Sequence, residues 1–194
     1  MKKEIPTPTY DEVMIYLNQW DNLENYVLQE KALDRLFLKL APDNTVIEDV
    51  LIKCSTLNDF YSTNIFSIYP VAKHIVNLNI DERLRNGDVS LVGDIKDVII
   101  NGSKKSFYSF ATKYCSHHNT MDYPIYDSYV HKVLIHFLKK DNFSRIKNDD
   151  LKDYNKFKET LIQFRKHYNL EAFNLKQLDQ YLWLLGKEYF KKNY

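Results

Sequence analysis

The chain has 194 residues, of which 44% are hydrophobic and 14% aromatic, and its formal net charge is +1. That length suits one domain, or two helical lobes sharing a core, with 15 Tyr and 11 Phe to fill the interior. Two cysteines, Cys54 and Cys115, build no zinc or iron–sulfur site alone, no apolar run is long enough for a membrane span, and the Met1 region lacks a signal-peptide core, so a reduced cytoplasmic protein without metal or other cofactor is expected.

The pattern along the chain is helical almost throughout. Leu33, Leu36, Phe37 and Leu40 repeat at i, i+3, i+4 and i+7, and Pro42 closes that helix. Thr45 can cap a helix through Val50, Leu51 and Cys54 towards Tyr61. After Ser62-Thr63-Asn64, residues 65–78 read as another helix, with Pro70 in its early part. Residues 79–88 hold a short helix closed by Gly87, and Asp88 can cap a segment ending near Asn101-Gly102. Next, Phe107, Phe110, Ala111, Tyr114 and His118 mark one buried stripe, and Val130, Val133, Leu134 and Phe137 mark another. Two helices close the chain, near 150–168 and 174–192, burying Phe157, Leu161 and Phe164, then Leu175, Leu178, Leu182 and Leu185. Trp20 and Trp183 are expected in the core, and no alternating strand pattern stands out. The expectation is an all-α fold, one domain over 1–194.

Charge is unevenly spread. Residues 1–50 carry 5 basic and 10 acidic side chains, a net −5, whereas residues 99–147 carry 8 basic and 3 acidic, a net +5. An acidic front and a basic middle fit a one-sided surface for a polyanion.

In the same basic region, Tyr123-Pro124-Ile125-Tyr126 leads straight into Asp127, three residues before the first buried position of its helix. As an N-cap, Asp127 would accept backbone N–H bonds and meet the positive end of the helix dipole, worth about 1 kcal/mol. Just upstream, residues 99–107 read as a Gly-containing turn between two helices, with consecutive lysines. Free N–H groups at a helix start, with Lys104 and Lys105, would bind a phosphate.

A phosphate-gripping turn, a helix, then Pro-x-x-Asp opening the next helix resembles the helix-hairpin-helix DNA glycosylases, and more narrowly their bacterial 8-oxoguanine-glycosylase-like branch. The resemblance spans about residues 55–138, with the hairpin at about 88–118 and the catalytic helix start at 124–138. It implies a two-lobed helical fold with a cleft, and a monomer that flips a damaged or modified base, such as an oxidised purine, out of double-stranded DNA and excises it. It places Asp127 on the family's catalytic aspartate. It makes Lys105 the nearest equivalent of the lyase nucleophile, with Lys104 and Lys113 as alternatives. Asn101, Gly102, Ser103 and Lys104 would grip DNA phosphate, though Asn101 and Ser103 stand where glycines are usual. Asn64, in the Ser-Thr-Asn turn, would be the side chain pushed into the duplex, with Tyr61 propping it open. Tyr123 and Tyr126 flank the acid and could stack on an extruded base or pack the core.

Adjacent helical histidines point about 100° apart and do not readily share an ion. His118 is therefore read as core and His117 as lining the surface or a pocket. The competing reading is a non-catalytic helix-hairpin-helix module that keeps the phosphate contact and uses Asp127 only as a cap.

Overall fold

The computed structural model describes residues 4–190; helices account for 66% of these, and the only sheet among them has two strands. The elements are α1 (Tyr10–Asp21), α2 (Glu24–Arg35), α3 (Ile47–Tyr61), α4 (Ile68–Asn77), α5 (Asp81–Arg85), α6 (Leu91–Lys96), β1 (Asp97–Ile100), β2 (Ser103–Ser106), α7 (Tyr108–His118), α8 (Ser128–Asp141), α9 (Tyr154–His167) and α10 (Leu175–Tyr189). The chain divides into two compact units. One is discontinuous, Met1–Glu24 with Tyr126–Tyr194; the other is Asn25–Ile125. Residues 1–3, where no leader is expected, and residues 191–192, expected to finish the last helix, lie outside the described residues.

In the discontinuous unit, α10 packs on α1 and α8. The expected apolar positions Val130, Val133, Leu134, Phe137, Leu178, Leu182 and Leu185 are all buried, at roughly 1.5–3 kcal/mol for each fully buried side chain. Trp20 and Trp183 meet edge to face at 5.8 Å but are only half-buried, so they flank the core rather than fill it. Asp153 and Asn174 cap α9 and α10 through the backbone N–H groups of Lys156 and Gln177. The helix expected from residue 150 is preceded by a separate 3-10 turn, Asn148–Lys152.

In the Asn25–Ile125 unit, α3 packs on α4 and α7, and α6 packs on α7. Here three local expectations fail. The α2 helix widens into a π turn over Leu36–Leu40, which rotates Leu40 out to solvent while Phe37 stays buried. The residue before α3 is Val46, with no side-chain cap, so Thr45 does not cap it. The helix expected to run to Asn101 ends at Lys96, because Asp97–Ile100 pairs antiparallel with Ser103–Ser106, Ile99 opposite Lys104 and Ile100 opposite Ser103. Asn101 (φ 49°) and Gly102 (φ 75°) form the two-residue loop, and Asn-Gly is the pair such a left-handed turn prefers. The helix-turn-helix expected here is therefore a β-hairpin, and the absence of strands is corrected.

Candidate active site

Asp127 sits where the sequence places it. Pro124 and Ile125 are buried and without regular structure, and Asp127 itself is extended (φ −135°, ψ 155°) as the N-cap of α8. Its Oδ1 accepts from the Tyr129 backbone N–H at 2.8 Å, and its carbonyl accepts the first helical bond, from His131 N at 2.9 Å. The carboxylate is thus aimed by its own backbone and half-exposed.

Beside it lies a hydrogen-bond chain that sequence reasoning missed. Asn148 turns its amide nitrogen to Asp149 (3.3 Å), so its carbonyl oxygen meets His131 Nε2 at 2.9 Å. An oxygen there requires Nε2 to carry the proton, leaving Nδ1 to accept from the Tyr126 hydroxyl at 2.9 Å. Burial, then the Asp127 charge, raises the Tyr126 pKa, so the phenol stays a donor. Tyr126 packs edge-on against Phe157 at 5.4 Å. This chain locks the residue before the acid. Its only local trace is the five-residue spacing of Tyr126 and His131 across the cap.

In the Asn25–Ile125 unit, Asn101, Gly102, Ser103, Lys104 and Lys105 are exposed on the hairpin. Lys104 pairs with Asp97 at 2.8 Å, and that ion pair holds the Asp97 carboxyl below its usual range. The next helix, α7, starts at Tyr108 behind Phe107, which supplies no side-chain cap. The turn is therefore a hairpin tip separated from the helix N-terminus by a strand, a correction to the phosphate-gripping geometry expected.

Tyr61, Lys113 and His117 come together. Tyr61 Oη lies 3.0 Å from His117 Nε2, and Lys113 Nζ lies 5.1 Å from the Tyr61 ring centroid while donating to Ser109 Oγ at 2.6 Å. Lys113 and His117 are both 2% exposed. Of the two placements expected for His117, surface or pocket lining, the surface one is corrected, because α7 is buried on nearly all sides; His118 packs against Phe37 and Tyr114 beside Lys53. Tyr123 is fully buried and packs the core, its one hydroxyl hydrogen shared between the carbonyls of Arg83 (3.1 Å) and Asp88 (3.0 Å).

The Ser62–Asn64 turn is tied by the Asn58 side chain. Ser62 (φ 49°) and Asn64 (φ 58°) are both left-handed, and Asn58 Oδ1 accepts from Thr63 Oγ1 (2.7 Å) and Ile65 N (2.9 Å). Asn64 is exposed there. Two residues on, Phe66 is 98% exposed, a large apolar side chain beside a hydrogen-bonded turn.

A further feature not expected from the sequence is Lys53, fully buried in an apolar stretch of α3. Its ammonium donates to Ala41 O (3.0 Å), Asp43 O (2.9 Å) and Asn44 Oδ1 (2.6 Å), and His118 Nε2 lies 3.5 Å away. Burial lowers its pKa to about 8, and burial with the neighbouring ammonium lowers His118 to about 3, keeping that ring neutral. With its donors spent on the 41–44 loop, Lys53 is a tether. No group of three or more His, Cys, Asp or Glu side chains able to hold a metal ion occurs among the described residues.

A family model described as HI_0787_N, N-terminal domain, matches residues 12–122. An uncharacterized protein of Haemophilus influenzae (strain ATCC 51907 / DSM 11121 / KW20 / Rd) is 56% identical over 152 residues, which cover 78% of this chain and 73% of that protein. No solved structure matches.

Proposed function

The chain belongs to the HI_0787_N family, and we propose that it is a DNA N-glycosylase removing a damaged or modified base from double-stranded DNA. The observation that carries the reading is the Asp127 carboxylate, held behind a proline-led segment by the Tyr129 N–H at 2.8 Å. Loss of a base leaves the deoxyribose oxocarbenium-like, and a preorganised carboxylate stabilises that cation and orients or deprotonates the attacking water. The Tyr126–His131–Asn148 chain supports the reading by fixing the segment that presents the acid. Support for a DNA partner comes from the exposed Asn101–Lys105 tip and from Phe66, an apolar wedge of the kind that unstacks base steps.

Base release from a panel of lesion-bearing duplexes tests the proposal. The native protein should release one base type, and Asp127→Asn should slow release by about 10²–10⁴-fold. No release by the native protein from any duplex would sink it. Borohydride trapping then separates water from a lysine nucleophile. A trapped adduct lost in Lys105→Ala assigns a Schiff base to Lys105; one lost only in Lys104→Ala or Lys113→Ala moves the assignment there.

A second reading, a non-catalytic DNA-binding module, would use the exposed Asn101–Lys105 tip of the β-hairpin in place of the helical hairpin expected. Duplex binding by native and Asp127→Asn protein alike, with no base released, would establish it.

A further inference from the structure

Helix α8 ends at Asp141, and Asn142, in the left-handed conformation (φ 49°), turns the chain away from it. Residues 143–147 then run without regular structure to the 3-10 turn at Asn148. Between this strand of loop and the last turns of α8 lies a hollow of about 280 Å³. Its floor is Ile135, Leu138 and Ile146, and its rim carries Lys139, Arg145 and Lys147 with the neutral Ser144 and Asn148.

No acid lines it. The nearby carboxylates are engaged elsewhere. Asp141 accepts from the Tyr168 hydroxyl, Asp149 lies 3.9 Å from Lys152, and Asp150 takes the Lys156 ammonium at 2.6 Å and the Lys147 backbone N–H at 2.7 Å. Among the described residues, the charged groups of Lys139, Arg145 and Lys147 have no carboxylate partner. The dipole of α8 accounts for Lys139 in the last turn. It does not account for Arg145 and Lys147, which lie past the helix end. Three cations without a direct carboxylate contact line one hollow, and an anion seated among them would relieve their mutual repulsion. Arg145 adds a planar fork suited to two oxygens of one phosphate.

The hollow is also not isolated. A second one shares Ile135, Lys139 and Asn148 and continues past Lys132 and His136. Four cations along an open groove suit a chain of phosphates better than a single ion, which would be enclosed. We propose that the groove formed by α8 and residues 142–148 binds the phosphodiester backbone of DNA. This rests on reading the chain as a DNA-handling protein, but it concerns binding alone and needs no chemistry at Asp127.

The test is binding of an undamaged labelled duplex as a function of salt. The triple variant Lys139→Gln, Arg145→Gln, Lys147→Gln should bind at least about tenfold more weakly near 100 mM salt, and its slope of log affinity against log salt should be shallower by about two to three. A charge-matched control, Lys39→Gln, Lys73→Gln, Lys166→Gln, should change affinity by less than about threefold. Circular dichroism establishes that both variants fold. Inorganic phosphate, matched in ionic strength to chloride, should displace the duplex no better than chloride does. The proposal is overturned by a triple variant that matches the control. It is also overturned by preferential displacement with phosphate, or by native protein that binds phosphatidylglycerol vesicles but no duplex. Base release is measured separately. A groove variant that binds normally beside an inactive Asp127→Asn sinks the groove and leaves the glycosylase. Groove-dependent binding without any base release sinks the glycosylase and leaves the groove.

Discussion

Gly186 of α10 lies against Tyr129 of α8 so closely that a Cβ at position 186 would stand 2.6 Å from the Tyr129 Cβ and 2.9 Å from its carbonyl oxygen. Tyr129 is the residue whose N–H holds Asp127. The absence of one methyl group on α10 therefore sets where the first turn of α8 sits.

Gly186→Ala should consequently destabilise the protein. In an open helix this change gains about 1 kcal/mol, but forcing backbone apart costs about 1–3 kcal/mol. Gly93→Ala is the matched control, since a Cβ there meets nothing within 4 Å. Thermal unfolding should show the melting temperature falling for the first and holding or rising for the second. A rise for Gly186→Ala would mean that α8 is free to shift.

Capping and catalysis by Asp127 separate by chemistry. Asp127→Asn keeps an oxygen for the Tyr129 amide, so its stability should stay within about 0.5 kcal/mol of native, whereas Asp127→Ala should lose about 1 kcal/mol. Both should lose base release. Full release by either variant would return Asp127 to the role of a cap alone.

Phe66 contributes nothing to the core at 98% exposure. Phe66→Ala should leave stability within about 0.5 kcal/mol, yet weaken duplex binding or base release severalfold if the ring enters the stack. Unchanged binding and release would make it an ordinary exposed aromatic.

His118 predicts an acid limb. Its pKa is about 3 in the fold against 6.5 unfolded, so the unfolded chain takes up a proton that the folded chain refuses. The stability at issue is fully present above pH 6.5 and is lost as pH falls from 6.5 towards 3, by roughly a few kcal/mol in total. Denaturant titrations at stepped pH should show a shallower acid decline for His118→Gln than for the native protein. Parallel curves would show that the ring is solvated.

The residues by themselves determine the short-range features. The apolar periods of α8, α9 and α10, the cap at Asp127 and the stop at Gly87 all depend on neighbours within one or two helical turns, so they are legible without a fold. Asn101-Gly102 is equally local, a pair that closes a hairpin here but is also compatible with a helix end. Tertiary structure decided the rest. Asp97–Ile100 became a strand because Ser103–Ser106 pairs with it, although the same apolar run can continue a helix. Lys53 went inside because three oxygens of residues 41–44 receive its charge, and His117 went inside because α7 is surrounded. Gly186 matters only because Tyr129, 57 residues earlier, arrives beside it. A side chain's exposure depends on which distant surface covers it, and that surface exists only once the chain has folded.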